Sequence, residues 1–489
     1  MGGGSSWSAG PTRVGTPTTA PRPPSSPAVM LGPPDPRGRL ARATATAAGV
    51  DPVPRPGRPG RRAARTCQSR SMTTYATLAA RYADAFDSVA HGERAREAGR
   101  HLPFAALGEL QAAGFGKVGV PVDAGGEGGG SETVLRLLMD LAARDVNTAH
   151  VWRSHLVFIA TAMDQAPARR ERWLRHIVDG DWAGSALAER AGGAAPGRAA
   201  TLASRDEGGT WVVRGQKYYA TGSAFATWTA ATVGIEGADL VSRRNSKRAG
   251  GAVREPDRAV AVVRVRQPRV GIKDDWDGFG QRLTATGSVV LDDAAAEELL
   301  EVPRQDGPVP VLMEATLLAL QAGIGRAALT EGTQLLRQRR RTFNTGTAAL
   351  PKDDPQLLEI MGQLAGRQAA AELMVREIGR LLDEGEDGAD GAGPAEADVV
   401  AASAEAMAAA YRAQAVVPEA VLEVCTRIFD TLGASATSAT LRLDRHWRNA
   451  RTLATHDPAA YKVRMAGDWL VNGTPPTAYT SAGEVPEGD

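Results

Sequence analysis

The period of the hydrophobic pattern changes twice along this chain, which rules out any fold built from one kind of layer. From Tyr75 to about Ile177, apolar residues recur every three or four positions, as in "YATLAARYADAF" and "LPFAALGELQAAGF". That is the spacing of amphipathic helices. Between Ala183 and Asp293 the period falls to two. "TWVVRGQKYYATG", "TWTAATVGI", "RAVAVVRV" and "TGSVVLDD" are β-branched and aromatic runs bounded by Gly, Pro and Asp, the signature of short strands. From Pro310 the helical period returns in "VLMEATLLALQAGIGRAALTEGTQLLRQRR" and, from Asp354, in "DPQLLEIMGQLAGRQAAAELMVREIGRLL". A third pattern spans Ala397 to Ala415 and a fourth Pro418 to Leu432, so four long helices argue for a bundle. The expectation is an α+β chain. It has an N-terminal helical domain over 72–180, a small β-barrel or β-sheet domain over 181–300, and a C-terminal four-helix bundle with a tail over 301–489.

Residues 1–71 stand apart. They are crowded with Pro, Gly, Ser, Thr and Arg, hold no Lys or Glu, and carry only Asp35 and Asp51 as acids. Such a segment cannot bury enough apolar surface to offset its ordering entropy, so it reads as disordered. An Arg-rich, acid-poor stretch of this kind is compatible with a transit peptide, but it has no apolar core. The alternative is a start placed too early, with the natural beginning at Met72. Two further loops are expected: a charged one at "SRRNSKRAGGAVREPDR" and an acidic one at "DEGEDGADGAGPAEAD".

The balance of charge excludes several partners. With 57 Lys and Arg against 56 Asp and Glu, nothing favours nucleic acid or an anionic membrane. No uninterrupted run of 18 or more apolar residues suggests a membrane span. Cys67 and Cys425 are the only cysteines, too few for a disulfide framework or a cysteine-built zinc site, so a cytoplasmic setting is expected. His150 and His155 are five residues apart, off one helical face, and do not form a metal pair. The Gly-rich "DAGGEGGGSET" lacks the Lys-Ser or Lys-Thr of a phosphate loop.

One segment is chemically dense. "RHWRNARTLATHDPAAYK", Arg445 to Lys462, gathers arginines, two histidines, an Asn and an Asp around His456-Asp457-Pro458. His456 titrates near neutral pH in ordinary surroundings, which suits a proton donor.

This segment, with "LQAAGFGKVGVPVDAGGEGGG", "GQKYYATGSAFATW" and "DDWDGFGQRLTATGSVVLDD", resembles the acyl-CoA dehydrogenase family. More narrowly it is similar to that family's flavin-dependent monooxygenase branch, to which the dibenzothiophene monooxygenases belong. The resemblance covers Met72 to about Thr480. It implies a homo-oligomer, expected to be a tetramer, that uses reduced FMN and oxygen to oxygenate a small apolar, plausibly organosulfur, substrate through a flavin hydroperoxide. A separate reductase would supply the FMN, because no Gly-x-Gly-x-x-Gly for NADH follows a strand.

The same resemblance implies the site. His155 and His456 would stabilise or protonate the peroxide, with Ser223 hydrogen-bonding it. Phe158 and Trp276 would wall the substrate pocket. Ser185, Thr221 and Ser223 would face the flavin ring, Ser185 by backbone, since the family's Thr there is Ala188. Arg341 and Phe343, in "RTFN", resemble a phosphate-binding element that reaches across a subunit interface. Gly433 and Ala434 match a turn that approaches the cofactor with backbone, and Arg448 and Arg282 are further candidates. No metal ligands are expected. Where dehydrogenases of the family read Arg-Asp-Ala with a Glu base eight residues after the Asp, this chain reads Arg448-Asn449-Ala450, with Asp457 at the Glu position. The shorter acid before a stiff Pro458 is a poor base, yet an FAD-dependent acyl-CoA dehydrogenase using Asp457 remains the rival. A non-catalytic scaffold with the flavin fold is a third reading.

Overall fold

The structure is a computed structural model in which residues 72–189, 199–237, 258–386 and 395–478 are described. The leader and the charged loop at 242–258 fall outside this range, apart from Arg258, as does much of the acidic loop.

Six helices come first: α1 (Tyr75–Ala90), α2 (Glu93–Gly99), α3 (Phe104–Ala112), α4 (Ser131–Arg144), α5 (Val146–Met163) and α6 (Pro167–Val178). The start of α5 is fixed by Asp145, whose carboxylate accepts the N–H groups of Asn147 at 2.9 Å and Thr148 at 3.2 Å. A short acid is suited to that cap because it reaches back to two otherwise unpaired donors. Arg96 of α2 closes on the same carboxylate at 2.9 Å. From that capped start α5 runs through the interior. Val146 to Leu156 are all buried, polar residues included.

Seven strands follow: β1 (Ala183–Ala186), β2 (Leu202–Arg205), β3 (Trp211–Lys217), β4 (Trp228–Ile235), β5 (Arg258–Arg264), β6 (Val270–Lys273) and β7 (Ser288–Glu301). They are ordered β1-β4-β2-β3-β7-β5, and β4 also pairs with β5, which closes the sheet into a small barrel. The long β7 makes closure possible. Its first half pairs with β3 and β6 and its second half with β5. Alternating Ala and Val from these strands fill the barrel interior.

Among the described residues, six helices rather than four come after the barrel: α7 (Pro308–Gln338), α8 (Pro355–Glu386), α9 (Glu396–Gln414), α10 (Val417–Leu432), α11 (Asp444–Ala454) and α12 (Ala459–Asn472). The first four form the expected bundle. The last two are short helices made by the chemically dense segment, which the period analysis did not resolve. α7 is long and apolar enough by composition to cross a membrane, but 89% of its most apolar window is buried against protein. It is the core helix. Gly323 lets α7 touch α4, since a Cβ there would stand 2.5 Å from the Ala142 side chain and 2.7 Å from the Met139 carbonyl.

Candidate active site

Four elements converge on one junction: the first three turns of α5, the end of β1 with the loop 218–227, the loop 279–287 leading into β7, and α11 with its turn into α12. The loops are held in uncommon conformations. Tyr219, Gln281 and Ala285 have φ of 58°, 53° and 45°, a strain that side chains accept only when their surroundings fix it. The close approach of β1 to the first loop also depends on a bare Cα. A Cβ on Gly184 would lie 2.3 Å from the Ser223 amide nitrogen.

The loops are tied to α5 and α11 by side chains. Asn147 accepts the Leu283 N–H at 3.1 Å, and Asn449 of α11 accepts the Gln281 N–H at 2.6 Å. His150 Nδ1 lies 3.0 Å from Gln281 Oε1, a pairing in which the imidazole N–H donates. Three of these side chains are buried and left half used. Asn147 Nδ2, Gln281 Nε2 and His150 Nε2 have no hydrogen-bond partner in the protein. A buried polar atom without a partner is costly, so three neighbouring ones set this junction apart as a candidate site. Burial, then the charges of Arg153 and His456, push the His150 pKa down to about 3, against the pull of Gln281. His150 therefore offers a neutral Nε2 acceptor beside two amide N–H donors.

The three residues expected at the flavin ring are all in this region, but their hydroxyls are taken up by other side chains. Ser185 Oγ is 3.1 Å from Ser154 Oγ, and Thr221 Oγ1 is 2.8 Å from Thr286 Oγ1. Ser223 is fully buried, bonded to Thr229 at 2.9 Å and to the Ser185 carbonyl at 3.3 Å. It shapes the loop and has no hydroxyl proton to spare for a bound peroxide.

His155 also departs from its expected role. Its Nε2–H donates to the Gly116 carbonyl at 2.6 Å, and its Nδ1 accepts the Ala183 N–H at 3.2 Å. It is fully buried, with its pKa pushed by burial down to about 4. Both nitrogens are occupied by backbone, so His155 pins α5 to β1. Phe158 is likewise a core residue, edge-on to Trp173 of α6 at 5.6 Å, and not a pocket wall. Trp276 bonds its own hairpin through Gly280 O at 2.9 Å, with its ring 5.9 Å from Tyr219 at the rim of the site.

At the α11–α12 turn, His456 is 44% exposed and its Nδ1 stands 3.1 Å from Asp457 Oδ2. That same oxygen accepts Lys462 Nζ at 2.9 Å. Burial works to raise the Asp457 pKa, but His456 and Lys462 outweigh it and hold the carboxyl well below the usual range. Asp457 is a committed anion. Arg448 is committed too, to Glu97 at 2.8 Å, Asp444 at 2.8 Å and the Phe279 carbonyl at 3.0 Å.

The phosphate-binding candidates lie elsewhere. Arg341 and Phe343 follow the C-terminal end of α7, roughly 30 Å along the helix from Thr316, where α7 meets Arg153 of α5. Phe343 is 67% exposed. Arg339 joins this segment to the Gly433–Ala434 turn by donating to the Thr431 carbonyl at 2.8 Å. The two segments expected to contact the cofactor come together, away from His150 and Gln281. Among the described residues no cluster of His, Cys, Asp or Glu could hold a metal.

With the barrel between two helical domains and this site at their junction, the class is defined: the chain has the acyl-CoA dehydrogenase-like fold. Residues 315–460 match the family model described as acyl-CoA dehydrogenase, C-terminal domain. More particularly, the chain is 26% identical over 388 residues to a probable FMNH2-dependent monooxygenase, SfnC, of Pseudomonas putida, covering 76% of this chain and 89% of the relative. It is 26% identical over 386 residues to a dibenzothiophene monooxygenase of Mycolicibacterium goodii, covering 74% and 86%. The fold matches that of TdsC from Paenibacillus sp. A11-2, solved with FMN and indole, with a TM-score of 0.71, 24% identity, and coverage of 83% of this chain and all of that one.

Proposed function

We propose that this chain is a flavin-dependent monooxygenase that takes reduced FMN from a separate reductase and oxygenates a small apolar organosulfur compound. The observation that carries this reading against the dehydrogenase alternative is the state of Asp457. A base that must take a proton from an acyl thioester needs a free carboxylate. Asp457 instead shares one oxygen between His456 and a buried ammonium. The relatives, an FMNH2-dependent monooxygenase and a dibenzothiophene monooxygenase, support the cofactor and the substrate class.

The site fits a flavin ring. Two unpaired amide donors and one imidazole acceptor complement the carbonyl oxygens and N–H of an isoalloxazine edge. Reduced FMN, when bound, supplies the electrons that activate oxygen. Asn147, Gln281 and His150 would hold the ring, and the buried face of α5 would keep water out. His456, with Nδ1–H on Asp457, would present Nε2 to accept or return a proton at the substrate side. Arg341 and Phe343 would complete the cofactor site of a second copy of the chain, which favours a homo-oligomer.

The test is rapid mixing of the protein loaded with reduced FMN against oxygenated buffer, followed by absorbance. A transient distinct from both reduced and oxidised flavin, lasting seconds, supports the reading. Direct return to oxidised flavin, with bleaching of FAD-loaded protein by an acyl-CoA, replaces it with the dehydrogenase reading. No flavin binding at all leaves a scaffold.

A further inference from the structure

Behind the α11–α12 turn lies a buried ionic group that the proposed chemistry does not use. Lys462 of α12 is only 1% exposed, and its ammonium donates to Glu314 of α7 at 2.6 Å and to Asp457 at 2.9 Å. Glu314 also accepts the Gln414 amide at 3.2 Å. Arg153 of α5, wholly buried, donates to the Thr316 hydroxyl at 3.1 Å and the Met313 carbonyl at 3.0 Å, and its charge reaches both Asp457 and Glu314. Two cations and two anions thus meet with little water around them. Removing ions from water is expensive, and a well-packed apolar group would serve stability as well or better. The network therefore calls for a role beyond holding helices together.

Its geometry points at His456. A lone Asp beside a His raises the imidazole's basicity and lets the carboxylate swing. Here the Asp457 oxygen that faces His456 Nδ1 is the one that Lys462 holds. We propose that Lys462, anchored by Glu314, is a positioning residue for His456: it fixes the orientation of Asp457 and limits the pull of that carboxylate on the imidazole. His456 is then oriented through Nδ1, while its Nε2 has no hydrogen-bond partner among the described residues. The titratable groups that interact with His456 are Asp457 beside it and His150 on α5, while Lys462 on α12 and Arg153 on α5 act on Asp457, and Glu314 on α7 holds Lys462. The inference rests on the reading of His456 as a group that works on the bound substrate.

The experiment uses the apoprotein, so it does not depend on any flavin chemistry. The His456 imidazole is titrated by NMR in wild type, Lys462→Met, Lys462→Arg and the double variant Lys462→Met/Glu314→Gln. Removing the ammonium leaves Asp457 wholly to His456, so the His456 pKa rises by about one unit, a tenfold gain in proton affinity, in both Met variants. Lys462→Arg returns it toward wild type. The double variant keeps the buried charge balanced and covers the case in which Lys462→Met does not fold. An unchanged His456 titration in a folded Met variant overturns the proposal, and so does failure of both Met variants to fold, which would make the network a fold determinant only. With reduced FMN and oxygen, the pH profile of the absorbance transient is expected to move by the same amount.

Discussion

His150 shows how much one residue's meaning depends on what its neighbours leave undone. It is a buried imidazole with one nitrogen bonded and the other without a partner in the protein, next to two amides in the same condition. His155, one turn and a half along the same helix, has both nitrogens satisfied by backbone. The two should behave differently when replaced. His150→Ala is expected to cost about 1–3 kcal/mol of stability, because it opens a cavity and strands Gln281 Oε1, and to weaken FMN binding about tenfold, the worth of one buried hydrogen bond. Fluorescence quenching of FMN during titration measures that. His155→Ala is expected to cost about 2–4 kcal/mol of stability, because it opens a cavity and strands the Gly116 carbonyl and the Ala183 N–H. Denaturant melts read this directly, and a loss below about 1 kcal/mol would contradict the pinning role.

At the scale of elements, the helix–barrel–bundle order was legible because hydrophobic period reports layer type, and turns rich in Gly, Pro and Asp mark the boundaries. The site was legible only in part. Asn147, His150 and Ser154 lie at spacings of three and four, a polar stripe along α5. Period analysis assigns such a stripe to solvent, and here it faces the interior, because α5 is packed on every side. Gln281 gave no signal, since its left-handed backbone conformation is not marked by a glycine. The resemblance pointed to the turn at His456-Asp457 but could not show that Lys462, five residues on, pairs with the carboxylate. Gly184 provides an element-level test. Gly184→Ala forces β1 and the Ser223 loop apart, so FMN binding should fall well over tenfold while far-UV circular dichroism stays unchanged. Normal FMN binding by that variant would mean that the site tolerates the shift.

For the whole molecule, buried histidines set the response to acid. Burial lowers the pKa of His150 to about 3, and of His155 and His446 to about 4. In the unfolded chain each returns to about 6.5, so between pH 6.5 and 4 the unfolded state binds protons that the folded state refuses. Stability is fully present above pH 6.5 and is lost as pH falls toward 4. Glu93, whose carboxyl burial pushes up to about 7, works in the opposite sense in part of that range. Three groups against one predict a falling melting temperature between pH 6.5 and 4, and a flat profile there would contradict the buried neutral state of the imidazoles. The ties that form the site have another consequence. Gln281 is held by Asn449, 168 residues later, and Leu283 by Asn147, 136 residues earlier. During synthesis, the ligand-accepting atoms stay unassembled until α11 has left the ribosome. Barrel and early helices can form before that point, but a chain cut short ahead of Asp444 should be a folded protein that never acquires a cofactor.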